Sequence, residues 1–299
     1  MGYSARYHAA SLAAVFLALA IGILIGVGFG SDIVSGTADD IERSLQSDLD
    51  ARAAEIDSLQ TELGTERDFD QAVFPAIVGG RLRDQRVALI ALGGLDPGIA
   101  NSVENAIEPA GARLAEVAVV REPPDLDALS STSEGREARA IARGAEEDLR
   151  QFAEQAGRTL VLGGRGFDAL RGTLLSRYSG KPGNIDAVVV ARSRPDGLDP
   201  DAEAATDQIE QGLVSGLDSV STAVGAERTD TDPSSIGFFE DRGIPSVDSV
   251  DLASGRVALV YTLDGTATGS FGVKDTADGL LPDLIPEGQG TGSASVGGQ

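Results

Sequence analysis

Cysteine and tryptophan are absent from this chain of 299 residues, and histidine and methionine occur once each. Without cysteine there is no disulfide framework, no thiolate nucleophile and no thiolate metal ligand. The lone methionine, Met1, and the lone histidine, His8, both precede the first long apolar stretch, so the whole of the chain beyond it carries no imidazole, thiol or thioether. Without histidine or a paired base, hydrolysis there would need two carboxylates flanking a cleft. Basic residues are also scarce: 24 Lys and Arg stand against 47 Asp and Glu, for a net charge of −23. Phosphate binding needs a basic patch, so nucleic acid is excluded as a partner, and the acidic excess reads as a solvated exterior.

What is present begins with Ala9 to Gly30, which runs for 22 positions without a charge. A helix rising about 1.5 Å per residue over that length crosses a hydrocarbon core of about 30 Å. A secretory signal has a shorter apolar core, so the stretch is expected to stay as a membrane anchor. Arg6 precedes it and Asp32, Asp39, Asp40 and Glu42 follow it. The positive-inside rule then places the N-terminus in the cytoplasm and the remainder outside, as a single-pass protein of the cell membrane. Gly22 and Gly26 form a GxxxG pair. That spacing either marks a helix-dimer face or reflects the general abundance of glycine in membrane helices.

Beyond the anchor, Ile41, Leu45, Leu49, Ile56, Leu59 and Leu63 are spaced by four, four, seven, three and four residues. These are the intervals of one helical stripe. A short acidic coiled coil over residues 31–70 follows, pairing two copies into a homodimer. Arg52 and Glu66 interrupt a strict heptad, so an unpaired helical spacer is the alternative, and a paired membrane helix would raise the local concentration enough to rescue a weak seam.

A globular α/β domain is expected over residues 71–286, Rossmann-like with a mostly parallel sheet. RVALIAL (Arg86 to Leu92) and IDAVVVAR (Ile185 to Arg192) are continuous branched runs of the kind found in buried parallel strands. Further strands are read at Leu114 to Val120, at RTLVLGG (Arg158 to Gly164) and in VSTAVGAE. Helices are read over Gly98 to Pro109, Arg136 to Ala156, Phe167 to Tyr178 and Asp201 to Leu217, with EPPDLDALSSTSEG as a polar loop. GRVALVYTLDG (residues 255–265) fits a strand by its apolar run or a helix capped at Ser254, with helix preferred. Residues 1–8 form the cytoplasmic end and 287–299 a Gly- and Ser-rich tail without hydrophobic support, expected to be disordered. GLDP recurs at Gly94 to Pro97 and Gly197 to Pro200, each time between a strand and a helix. The recurrence is either a trace of duplication or a chance repeat of a turn-forming tetrapeptide.

No residue presents itself as catalytic. LVLGGRGFDAL opens through glycines into a helix, but it lacks the Lys-Ser/Thr of a P-loop and has an incomplete dinucleotide fingerprint. Asp125 with Asp127, and Asp248 with Asp251, are close pairs among many acids. The reading is therefore not an enzyme, with no cofactor and no metal site.

YHAASLAAVFLALAIGILIGVGFGSD, the acidic helix after it, FDQAVFPAIVGGRLRDQRVALI and the late VDSVDLASGRVALVYTLDG with GSFGVKDTADGLLP together resemble the actinobacterial MctB family, which includes the SteB proteins. The resemblance implies a copper transporter of the cell envelope. For the SteB branch it implies a non-enzymatic scaffold acting with a membrane partner, SteA, in envelope remodelling at division. It also implies one N-terminal anchor, a coiled coil joining two subunits and an outward α/β domain. Where the family often reads GHYG, this chain reads GSFG (Gly269 to Gly272), without the histidine. Copper(I) favours thiolate and thioether and copper(II) favours imidazole, so any effect on copper is expected to be indirect or to need a partner.

Overall fold

In a computed structural model, residues 5–283 are described, with side chains described over 7–27 and 44–283. The chain divides into two compact units, Met1–Phe69 and Asp70–Gln299.

The described residues of the first unit, 5–69, lie within helix α1 (Ala5–Val78). Its segment Tyr7–Val27 is long and apolar enough to cross a membrane, and none of it is buried within the protein. Leu45, Leu49, Ile56, Leu59 and Leu63 follow on one side of the helix, each more than half exposed. The side chain of Ile41, and the tail at 287–299, lie outside the described residues.

The second unit is built on one sheet of seven strands in the order β3-β2-β1-β4-β5-β6-β7. The central strands are β1 (Arg86–Gly93) and β4 (Ala187–Ser193), paired in parallel from Val87↔Ala187 to Gly93↔Ser193. Their residues are branched and uninterrupted because both faces are covered. Ala88, Ile90, Leu92, Val188 and Val190 point to one core. Val87, Leu89, Ala187, Val189 and Ala191 point to the other.

From β1 the chain passes through α2 (Pro97–Ile107) to β2 (Arg113–Val120) on one side; from β4 it passes through α7 (Pro200–Asp218) to β5 (Thr222–Ala226) on the other. The two GLDP turns do the same work. Asp96 and Asp199 each cap a helix with the side chain, accepting from Gly98 N and from Asp201 N and Ala202 N, and each following proline starts the helix. A proline with its fixed φ and missing N–H suits that first position.

The first core is covered by α7 together with α3 (Leu126–Ser130), α4 (Gly135–Ala142), α5 (Glu146–Leu162), α6 (Phe167–Thr173) and α8 (Ile236–Glu240). The second is covered by α2, α9 (Ala253–Leu263) and the residues Phe74 and Val78 at the end of α1. Short strands β6 (Ser246–Val247) and β7 (Ser270–Phe271) extend the sheet in parallel, and β3 (Leu175–Gly180) closes the opposite edge antiparallel to β2.

Five local readings change. Arg158 to Gly164 is not a strand: through Leu162 it is the last part of α5, whose buried Leu149, Phe152, Ala153, Ala156, Gly157, Leu160 and Val161 keep helical spacing. Arg136 to Ala156 is two helices, parted at Gly144, whose φ of +68° breaks α4 from α5. Phe167 to Tyr178 is helical only to Thr173; the rest pairs with β2 as β3, where Tyr178 sits opposite Ala118. The polar loop after β2 contains the short helix α3, capped by Asp125. Residues 253–263 are helical, entered from Leu252 without a side-chain cap at Ser254.

Candidate functional site

Because β1 and β4 send their helices to opposite faces, the strand order reverses between them. In open α/β sheets the crevice outside the carboxyl ends of strands at such a point is where ligands bind. Here the two strand ends are tied by Gly94 N donating to Ser193 O at 3.0 Å. Two adjoining lobes open above that bond, of about 560 and 290 Å³. Both are lined by Arg192, Ser193, Thr231 and Asp232, the larger also by Arg194, Asp196 and Glu203.

The floor is charged and locked. Glu210, fully buried on the inner stripe of α7, receives Arg192 in a two-pronged pair, Nε to Oε1 at 2.7 Å and Nη2 to Oε2 at 3.0 Å. Arg194 donates Nη2 to the same Oε2 at 2.6 Å and also pairs with Asp207, while Glu203 lies 4.0 Å from its Nη1. The Arg192 guanidinium further stacks 4.5 Å over Phe238. Paired fork geometry of this kind holds planar groups rigidly.

Glu122, just past β2, sits beside this cluster. Both of its carboxyl oxygens are buried without a hydrogen-bond partner, as is Nε of Arg194. Burial pushes the Glu122 carboxyl up to about 8; neighbouring Glu210 adds to the rise, and Arg194 and Arg192 oppose it. Gly93, at φ +80°, leaves room for it: a Cβ there would stand 2.7 Å from Glu122 Oε2 and collide with Ser193 O. At neutral pH the group is a carboxylic acid, able to donate one hydrogen bond and accept another.

The opposite wall is equally built. Buried Glu227 at the end of β5 accepts from Ser234 Oγ, Ser235 N, Ser235 Oγ and Lys274 Nζ, all between 2.6 and 2.8 Å. Lys274 is held in turn by Asp248, which accepts from Val273 N and Lys274 N at 2.8 Å. Gly272, at φ +148°, makes that clamp possible, since a Cβ would collide with the Asp248 carboxylate. Arg228 pairs with Asp96 at 3.3 Å and Asp230 at 3.1 Å, covering the start of α2.

The acidic pairs noted in the sequence do not converge. Asp125 caps α3, Asp248 clamps the segment after β7, and Asp251 accepts from Thr229 N and Thr229 Oγ1. Ser270, at the histidine position of the family pattern, is buried and shares a hydrogen bond with Ser246 Oγ at 3.0 Å. The glycine-rich turn at Gly163 to Gly166 precedes α6, a helix of seven residues. Gly22 and Gly26 lie on the apolar segment with open space where a Cβ would stand. Among the described residues no group of three or more His, Asp or Glu is placed to hold a metal ion.

The residues that sequence reasoning passed over are Glu122, Arg192, Arg194, Glu210 and Glu227. Two of them did leave a signal: Arg192 ends an otherwise apolar strand, and Glu210 occupies the apolar stripe of α7 next to Ile209. A charge in such a place requires a partner across the core.

Known relatives include the copper transporters MctB of Mycobacterium bovis and Mycobacterium tuberculosis, each 38% identical over 86 residues. Those residues are 29% of this chain and 27% of each relative, so the chain spans about a quarter of the length of the curated relatives it matches. A family model described as "Copper transport outer membrane protein, MctB" matches residues 3–282. Matched over nearly its whole length, this chain belongs to the MctB family.

Proposed function

We propose that the chain is a non-enzymatic, membrane-anchored envelope protein that pairs with a second copy along α1 and serves copper homeostasis as a scaffold for a membrane partner. The observation that carries the reading is the exposed stripe Leu45, Leu49, Ile56, Leu59 and Leu63 on the same helix as the apolar segment Tyr7–Val27. Five large apolar side chains on one helical face are costly in water and are relieved by a second, identical face. The homodimer would be reinforced by Gly22 and Gly26 in the bilayer. Arg6 ahead of the segment and the acids behind it support a cytoplasmic N-terminus and an extracytoplasmic α/β unit.

A carrier role for copper, the direct reading of the family description, has no donor set behind it. The chain past His8 offers no imidazole, thiol or thioether, and its carboxylates alone would bind copper weakly and without selectivity. The scaffold reading places the copper effect in a partner. Full-length protein in lipid nanodiscs, titrated with copper(I) and copper(II) by calorimetry while its mass is followed by light scattering, tests both halves. A dimer without micromolar copper binding is the expected result. A monomer ends the scaffold reading, and tight copper binding makes the protein a carrier.

A further inference from the structure

We propose that the crevice between the ends of β1 and β4 binds a neutral saccharide. The inference goes beyond the scaffold reading and does not depend on it.

The charges in the crevice disfavour anions, metal ions and apolar molecules. An anion would need free cations or open helix N-termini. Arg192 and Arg194 are already committed to Glu210, Asp207 and Glu203, and Arg228 to Asp96 and Asp230. The starts of α2 and α7 are capped by Asp96 and Asp199. A phosphate would therefore meet carboxylates where a nucleotide-binding crevice presents N–H groups. A metal ion lacks a ligand cluster among the described residues. An apolar molecule lacks an apolar wall, since the larger lobe is lined chiefly by arginine, aspartate, glutamate, serine and threonine.

A neutral molecule that both donates and accepts fits this mixed lining of carboxylates, guanidinium groups and hydroxyls. Asp196 and Asp232 line the larger lobe outside every ion pair found among the described residues, and Ser193 and Thr231 add hydroxyls. Carboxylates and guanidinium planes lining a polar lobe of about 560 Å³ match the paired hydroxyls of a sugar, which take a carboxylate on one side and an N–H on the other. Preorganisation of the arginines by Glu210 leaves no side-chain ordering to be spent on binding.

The test uses full-length protein in nanodiscs and saturation-transfer NMR with N-acetylglucosamine, galactose, arabinose and trehalose as separate probes, alongside spermidine and inorganic phosphate. Transfer to at least one saccharide is expected, with affinity lowered about tenfold or more in an Asp196→Asn/Asp232→Asn double variant. A Ser193→Phe variant, which fills the mouth from an exposed position, should abolish the transfer at an unchanged melting temperature. It keeps the test decisive if the double variant fails to fold. No transfer to any of the sugars overturns the proposal. So does binding that survives Ser193→Phe, or binding of spermidine or phosphate in place of the sugars.

Discussion

Glu210 concentrates more of the crevice than any other residue. It is fully buried and holds both Arg192 and Arg194. Removing one member of a buried pair leaves uncompensated charge, so Glu210→Gln should cost about 3–5 kcal/mol in chemical denaturation of the full-length protein. Glu116 is the opposite case, a buried acid with too little around it. Burial raises its carboxyl to about 7, against the hydrogen bond from Tyr178 at 3.1 Å and the nearby Arg86 charge. Its native state keeps a proton that the unfolded chain gives up near 4.5. The contribution of this group to wild-type stability therefore falls as pH rises from about 4.5 to about 7 and is flat above. Glu116→Gln should remove that loss, gaining about 2–3 kcal/mol over wild type at pH 8 and nothing at pH 4, as read from paired melts. Neither carboxylate could be singled out among 47 acids by composition. What distinguishes them is which face of β2 or α7 they occupy, and that depends on the partner element.

At the scale of elements, the closest packing is between α5 and α7. Gly157 stands where a Cβ would come within 2.5 Å of Leu213 O, while a Cβ on Gly212 or Gly216 would collide with the α5 backbone at Arg150 or Glu154. Gly212 and Gly216 form a GxxxG pair in a helix of the α/β unit, the same spacing as Gly22 and Gly26 in the apolar segment of α1. Gly216→Val should force the helices apart and cost about 1–3 kcal/mol or more, measured by denaturant unfolding. On α1, Leu49→Gln/Ile56→Gln is expected to halve the mass in light scattering if the stripe is the dimer seam, while leaving the α/β unit folded by circular dichroism. Long periodic elements were legible in the sequence: β1, β4, α2 and α7 lie within a residue or two of where their patterns place them. The end of α5 was not. Leu160 and Val161 form a branched apolar run too short to separate strand from helix, and only their phase with Leu149, Phe152 and Ala156 resolves it. Likewise β3 belongs to the sheet because β2 offers it an edge. Exposed Arg177 on its outer course is the kind of charge that keeps such an edge from pairing further.

For the whole molecule, Glu116 and Glu122 act in the same direction. Both hold protons in the native state up to about 7 and about 8, so the folded unit binds more protons than the unfolded chain across that interval. Stability should fall between about pH 4.5 and pH 8, and a net charge of −23 adds self-repulsion in the same sense. A thermal melt series on the full-length protein should therefore peak on the mildly acidic side. The α/β architecture was legible as alternating strands and helices, whereas the crevice was not, because it is assembled from the ends of β1, β2, β4 and β5.

The pairing of β1 with β4 also sets a schedule for biogenesis. Arg86 N meets the Asp186 carboxylate across a separation of 100 residues, and the strand centre between them cannot zip earlier. At a synthesis rate of about 5–20 residues per second, β1 waits about 5–20 s for its neighbour. By then the apolar segment Tyr7–Val27 has long been made. Helix α1 is therefore complete before the sheet can close, and the nascent unit reaches its native strand pairing with that helix already made.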